Sequence, residues 1–392
     1  MDASMGEMPA ESGVAPDTQS ETLTTPPAQV MSNLLNFVSR TKASDLHIKT
    51  GYAPHVRIGG HLRKVQMPPI PDSAFVNGMV LPLAPEGRLS EYDKNGALDF
   101  STQIPGGDRF RINIFKSQGD THVAMRRVQS EISDFNTLNL PDVYRDVINN
   151  TSEGLVLVCG VTGSGKSSTM AAMVDQINRT RGLHIVTIED PIEFHFEGDK
   201  SIISQREIGS DVRNFPDALR VVVRQDPDMI LIGEMRDRET VLAAIQAAET
   251  GHLVLGSLHC ADVPLSFARI LEFFDRSDHA FVRSSLANSL RAIMCQRLLP
   301  GVVEGSRYPA TEVLLNNSVV QRKIMEEEDE DLHAVLHGYR DSGMRDFNYS
   351  LFELVEKDLV TRKVALEAAP NREAFTSLLK GIDAAASGII AR

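Results

Sequence analysis

A glycine-rich loop, several isolated carboxylates and two histidines carry the chemistry legible in this chain of 392 residues. The loop reads Gly160-Val161-Thr162-Gly163-Ser164-Gly165-Lys166-Ser167 and sits between the apolar run LVLVC and the stretch SSTMAAMVDQINRT, which has helical character. Its glycines let backbone N–H groups turn inward around an anion, and the helix that follows adds its positive N-terminus. Lys166 is placed to contact the outer phosphates, and Ser167 to hold Mg²⁺ through the nucleotide. A nucleoside triphosphate held along Gly160–Ser168 is the expected ligand. No Asn-Lys-x-Asp stretch signals guanine, so ATP is the default.

Other apolar runs also stop at polar residues suited to phosphate chemistry. HIVTI ends in Glu189-Asp190-Pro191-Ile192-Glu193, MILI ends in Gly233-Glu234, and HLVLGSL ends in His259. Ligands of open α/β sheets bind at the carboxyl ends of the strands. Glu189 or Glu193 is suited to orient a water or a Mg²⁺ ligand. Gly233 stands where the common second nucleotide motif has Asp, and Glu234 is placed to act on Mg²⁺-bound water. His259 is placed to report the γ-phosphate through a hydrogen bond. His252, seven residues upstream, is a second candidate.

These residues need a scaffold, and from Gly154 the pattern supplies one. Short β-branched runs alternate with helical stretches through His259, which predicts a parallel sheet covered on both faces. After about residue 262 the chain reads as helical. The earlier part reads as a small α+β domain. HVRIGGHLRKV has the turn dipeptide of a hairpin, and RFRINIF and THVAMRRV read as paired strands. The expected organisation is a disordered tail over 1–30, an N-terminal domain over 31–135, a linker over 136–153, an ATPase core over 154–300 and a helical segment over 301–392.

Composition narrows the class of partner. Hydrophobic content of 42% and charged content of 24% are those of an ordinary globular protein. The formal net charge of -13 argues against a phosphate backbone as the main partner, so no nucleic acid is expected. Cys159, Cys260 and Cys295 are far apart in sequence and form no Cys-x-x-Cys pair, which fits buried thiols in a reducing compartment. No apolar run approaches the ~18–20 residues of a membrane span, and the acidic start MDASMGEMPAESG does not read as a secretory signal. The acidic run Glu326–Asp331 reads as a solvated turn or helix end.

Together ASDLHI, VRIGGHL, DRFRINIFKSQG, GVTGSGKSST, TIEDPIEF, LRVVVRQDPDMILIGEMRDRET, AAETGHLVLGSLH and LRAIMCQRLLPG resemble the secretion ATPases. Among these the chain most resembles the type IV pilus retraction ATPases, the PilT/PilU family, from about Ser32 to about Gly381. The resemblance implies an α/β protein: a PAS-like α+β N-terminal domain, a RecA-like P-loop ATPase core and a helical C-terminal segment, assembled as a homo-hexamer. It implies ATP and Mg²⁺ as ligands and twitching motility as the process served. The location implied is the cytoplasm, at the inner membrane through a platform protein, with a second retraction ATPase as a possible partner. It makes Gly160–Ser167 the Walker A loop, Glu189–Glu193 the acidic box, DMILIGE an atypical Walker B and His252–His259 the histidine box. Arg109, Arg111 and Arg126 match the arginines with which the family closes on nucleotide. Near SVVQRKIMEEEDED only Arg322 and the apolar spacing match the family's Ala-Ile-Arg-type motif. An extension or type II secretion ATPase, or a PilU-like accessory ring partner, therefore remains an alternative.

Overall fold

The structure is a computed structural model that describes residues 23–381, apart from 86, 105–107, 129 and 130. Most of the expected disordered tail lies outside the described residues, but Pro27–Val30 already belong to the first helix. The chain divides into two compact units, Met1–Val128 and Gln129–Arg392.

The first unit contains helix α1 (Pro27–Arg40), strands β1 (Asp45–Lys49), β2 (His55–Ile58) and β3 (His61–Lys64), and helices α2 (Ser73–Val80) and α3 (Leu89–Asn95). Strands β4 (Ala97–Gln103), β5 (Arg109–Ser117) and β6 (Asp120–Val128) follow. The six strands form one antiparallel sheet in the order β3-β2-β1-β6-β5-β4. Alternation decides its faces. Leu46, Ile48, Phe110, Ile112, Ile114, Val123 and Met125 pack with Leu34, Leu35 and Val38 of α1. Residues at the intervening positions, Arg109 and Arg111 among them, therefore face away from that core.

The second unit begins with α4 (Asp142–Asn150), β7 (Gly154–Cys159), α5 (Lys166–Thr180), β8 (His184–Glu189) and β9 (Ile202–Glu207). It continues through α6 (Phe215–Val222), β10 (Met229–Ile232), α7 (Arg238–Glu249), β11 (Leu253–Leu258), α8 (Val263–Leu271) and α9 (His279–Ser289). Strands β12 (Leu290–Pro300) and β13 (Arg307–Leu315) come next. Last are α10 (Ser318–Met325), α11 (Leu332–Gly338), α12 (Phe347–Glu356), α13 (Arg362–Ala368) and α14 (Arg372–Leu378).

The seven strands run in the order β13-β12-β7-β11-β10-β8-β9, and only β13 is antiparallel to its neighbour. Every residue of β7, β10 and β11 is buried, as a central strand covered on both faces requires. Leu155, Leu157 and Cys159 enter the core on one face, and Val156 and Val158 enter the core on the other. Asp and Asn caps start several of the covering helices. Asn214 accepts from Asp217 N, Asp237 from Thr240 N and Asp262 from Leu265 N, at 2.8, 2.8 and 3.0 Å.

Two expectations need correction. The chain after residue 262 is not purely helical, because β12 and β13 extend the sheet beside β7. LRAIMCQRLL is a run buried almost throughout, and such a run has no period that separates strand from helix. Residues 136–153 are not merely a linker. They contain α4, whose Tyr144 and Ile148 are fully buried in the core beneath β7.

Candidate nucleotide site

Parallel register brings the polar strand ends to one edge. Leu258 pairs with Cys159, and Ile232 with both Gly256 and Ile188, so β7, β11, β10 and β8 end nearly level. The glycine loop follows β7, His259 follows β11, Glu234 follows β10 and Glu189 ends β8. The loop strand and the glutamate strand are not adjacent, because β11 lies between them. Backbone bonds hold this edge together: Gly160 N donates to Leu258 O at 3.2 Å, Gly233 N to Ile188 O at 2.8 Å and Met235 N to Ser257 O at 3.0 Å.

The loop has a shape that only glycine readily provides. Gly160, Gly163 and Gly165 have φ of +155°, +80° and +91°, values that favour glycine. A Cβ at Gly160 would lie 2.3 Å from Ser164 Oγ, whereas one at Gly163 would meet nothing within 4 Å. The loop is thus packed at its base and open at its tip, where Val161 is exposed. Ser164 is buried, and its hydroxyl has no partner among the described residues. Helix α5 starts at Lys166, and its first-turn N–H groups have no partner within the helix. Lys166 Nζ donates to the carbonyls of Gly160 at 2.8 Å and Val161 at 3.4 Å. Desolvation lowers the Lys166 pKa more than the Glu234 and Glu193 charges raise it. Such an ammonium gains from an anionic ligand, which replaces lost hydration with opposite charge.

Glu234 is half-buried at the same edge. One carboxylate oxygen takes a hydrogen bond from Arg236, and the other lies 3.1 Å from His259 Nε2. Desolvation pushes its pKa up, but the Arg236 hydrogen bond and the His259, Arg236 and Lys166 charges outweigh that, leaving it below the ordinary value. Glu234 is therefore ionised near neutral pH.

Other expected residues are placed differently. Glu189 turns inward: its Oε1 accepts from Thr187 Oγ1 at 2.7 Å and Gln205 Nε2 at 3.2 Å, and burial raises its pKa. Glu193 is exposed, and its charge acts on Lys166 and Glu189. The structure does not bring His252 to this edge. It precedes β11 whereas His259 follows it, so the six-residue strand separates them by about 20 Å. His252 Nδ1 instead lies 3.0 Å from Ala247 O and 3.2 Å from Thr250 Oγ1, at the end of α7. Arg111 and Arg126 are directly opposed on β5 and β6, and Arg109 lies on the same face of the sheet as Arg111. Arg126 Nε donates to Asp45 at 3.1 Å.

The strand-end reasoning missed two residues. Arg236 lies two positions after Glu234. Gln296 is an amide beside Arg297 inside the otherwise apolar run of β12, and a neutral polar residue there was a signal. Beside the loop is a cavity of about 320 Å³ whose lining includes Leu138, Leu140, Ser168, Thr169, Arg307 and Pro309. The three cysteines converge beneath the loop. Ser266 Oγ lies 3.0 Å from Cys260 Sγ, 3.5 Å from Cys159 Sγ and 3.9 Å from Cys295 Sγ.

A doubly covered, mostly parallel sheet with a phosphate loop after one strand and an ionised carboxylate at the same edge defines a RecA-like P-loop nucleotide hydrolase. Residues 21–351 match the family described as Type II/IV secretion system protein. The chain belongs to that family of ATPases. It is 36% identical over 345 residues to the type IV pilus retraction ATPase PilT of Pseudomonas aeruginosa, covering 88% of this chain and 99% of that one. It is 32% identical to the type IV pilus ATPase PilU of the same organism, covering 88% and 90%. A crystal structure of the pilus retraction motor PilT with bound ADP superposes with a TM-score of 0.81 at 38% identity, covering 87% of this chain and 97% of that chain.

Proposed function

We propose that this chain hydrolyses ATP to drive retraction of type IV pili, the process behind twitching motility. The observation that carries the ATPase part is the meeting of the phosphate loop with Glu234 and His259 at one sheet edge. The retraction part rests on similarity to PilT over nearly the whole length of both chains.

In this reading the N–H groups of the loop and of the first turn of α5 bind the phosphates. Lys166 exchanges its bonds to Gly160 and Val161 for phosphate oxygens. Water attacks the γ-phosphorus, the bond to the β,γ-bridging oxygen breaks, and ADP and phosphate leave. Glu234, already ionised, orients that water and accepts its proton. Arg236 and His259 fix the carboxylate, and His259 senses the γ-phosphate through its hydrogen bond. A Mg²⁺ ion held by Ser167 through the nucleotide would neutralise phosphate charge. The cavity beside α5 is the proposed site of the base. By family resemblance, Arg109, Arg111 and Arg126 are assigned as arginines that act on nucleotide in the assembled ring, and Glu193 as a residue that tunes the site.

Among the described residues no helix is long and apolar enough to cross a membrane. By family resemblance, we assign contact with the membrane to a platform protein and place the chain in a cytoplasmic homo-hexamer. The test is pilus imaging in cells carrying Lys166→Ala at the native locus, with Glu234→Gln protein assayed in parallel. Pili that extend without retracting, and a Glu234→Gln protein that binds ATP without turnover, are the expected results. Bald cells would reverse the direction of force to extension. Wild-type turnover by Glu234→Gln would remove that residue from the reaction. An accessory, PilU-like role is the second reading, motivated by α10, where only Arg322 and the apolar spacing match the family motif. It predicts that deletion impairs retraction whereas Lys166→Ala does not.

A further inference from the structure

One side-chain amide joins the phosphate loop to the helix that follows it. Gln296 lies on β12, directly beside the loop strand, and is 1% exposed. Its Nε2 donates to Ser164 O at 2.7 Å, and its Oε1 accepts from Thr169 Oγ1 at 2.9 Å. Ser164 is in the loop and Thr169 is in the first two turns of α5. The bridge therefore clamps the loop to the helix whose N-terminus it feeds. The carbonyl of Ser164 can only accept, so it fixes which end of the amide faces it.

Two of the loop glycines are shaped by the same residue. A Cβ at Gly160 would lie 2.6 Å from Gln296 O, and one at Gly165 would lie 3.1 Å from Gln296 Nε2. The loop is thus packed onto Gln296 at both its ends. The next residue pins the strand from its other face. Arg297 Nη1 donates to Ala368 O at 3.0 Å, and its guanidinium sits 4.2 Å from the Phe347 ring.

We propose that Gln296 is the positioning residue that keeps the phosphate loop in its anion-binding form, by bridging the Ser164 carbonyl to the Thr169 hydroxyl. A loop carbonyl free to turn inward would present negative charge to the phosphates. Gln296 holds that carbonyl outward and leaves the inward positions to N–H groups. No other side chain of this length offers a neutral donor and a neutral acceptor side by side at its tip. The residue touches no reacting atom, so its effect falls on nucleotide affinity rather than on the chemical step. This inference rests on the ATPase reading above.

The test compares wild-type protein, Gln296→Leu, Gln296→Glu and Lys166→Ala by titration with a fluorescent ATP analogue and by steady-state ATPase assay. Gln296→Leu strands a buried carbonyl and a buried hydroxyl, so the Kd for nucleotide should rise about ten- to a hundredfold. The Michaelis constant should rise with it, while kcat at saturating ATP stays within about threefold. Gln296→Glu keeps the acceptor for Thr169 and, while protonated, a donor for the Ser164 carbonyl, so it should bind more nearly like wild type at low pH and lose affinity as pH rises and a negative charge is set against that carbonyl. A purely structural role would lower the nucleotide-free melting temperature and leave Kd unchanged, and that result overturns the proposal. Should Gln296→Leu not fold, Thr169→Val breaks the other end of the bridge. It should weaken binding about three- to tenfold, and unchanged affinity there is equally fatal. Binding lost in Lys166→Ala but intact in Gln296→Leu sinks this inference alone. Binding retained in Lys166→Ala sinks the nucleotide site itself.

Discussion

Replacing Glu312 by glutamine should stabilise this protein, and increasingly so as pH rises. Glu312 lies on β13, is 2% exposed, and receives a hydrogen bond from Val263 N at the start of α8 at 2.9 Å. It also lines a cavity of about 510 Å³ together with residues of α11, α12 and α14, including His333, His337, Phe347 and Ala374. Burial raises its pKa from an ordinary 4.5 to about 7. The Asp262 and Asp346 charges push the same way, and the Val263 and Phe347 N–H groups oppose them. The folded pKa is thus above the unfolded one. Between those values the folded state holds a proton that the unfolded state has released, so stability falls as pH rises through the window and levels off above it. A shift of this size is worth about 3 kcal/mol, since each unit is about 1.4 kcal/mol. Glu312→Gln keeps an oxygen for Val263 N and removes the charge. Urea unfolding of both proteins, at one protein concentration and several pH values, reads the difference directly. The two should nearly coincide at about pH 4, and the variant should lead by about 3 kcal/mol at about pH 8. A gap that does not change across that range would refute the reasoning.

Two further outcomes follow from buried groups. Burial is the main cause that raises the thiol pKa of Cys159, and of Cys295 to about 11; for Cys260 the hydrogen bond with Cys159 leads and burial adds to it. All three thiols are free and buried, so the native protein should leave a disulfide reagent unconsumed at mildly alkaline pH and consume three equivalents after unfolding. Fast labelling of the native protein would show that the cluster opens. Arg283 is 7% exposed and grips Asp329 with two bonds, at 2.8 and 2.7 Å, while donating to Ile324 O at 3.0 Å. Arg283→Ala strands a carboxylate beside α10, and should cost about 3–5 kcal/mol in the same urea assay. A loss under about 1 kcal/mol would mean that water takes over the arginine's bonds.

Much of the nucleotide site was legible because it is local. Gly160–Ser167 encodes its own conformation, since the positive φ angles fall on glycines and the helix begins at the lysine that the motif requires. Glu234 and His259 were found because a polar residue that ends a buried parallel strand has to emerge at the carboxyl edge. Arg109 and Arg111 came from the family resemblance alone, and the structure adds that strand alternation turns them away from the apolar positions of β5. Pairings between distant segments are different. They depend on strand order and register, which are set by packing across hundreds of residues and leave no local trace. The order that puts β11 between β7 and β10 brings His259 to 3.1 Å from Glu234 and leaves His252 at the other end of the strand. Hydrogen-bond competition inside the sheet draws Glu189 to Thr187 and Gln205. A buried run with no period hid β12, and with β12 the amide that clamps the loop. Three cysteines dispersed along the sequence share one hydroxyl because β7, β12 and the start of α8 meet beneath the loop. The sequence alone thus determined the loop, the carboxylate and the histidine that the proposed nucleotide site is built from. Tertiary packing decided which side chains hold them in place, because those partners come from strands and helices that meet only when the sheet is assembled.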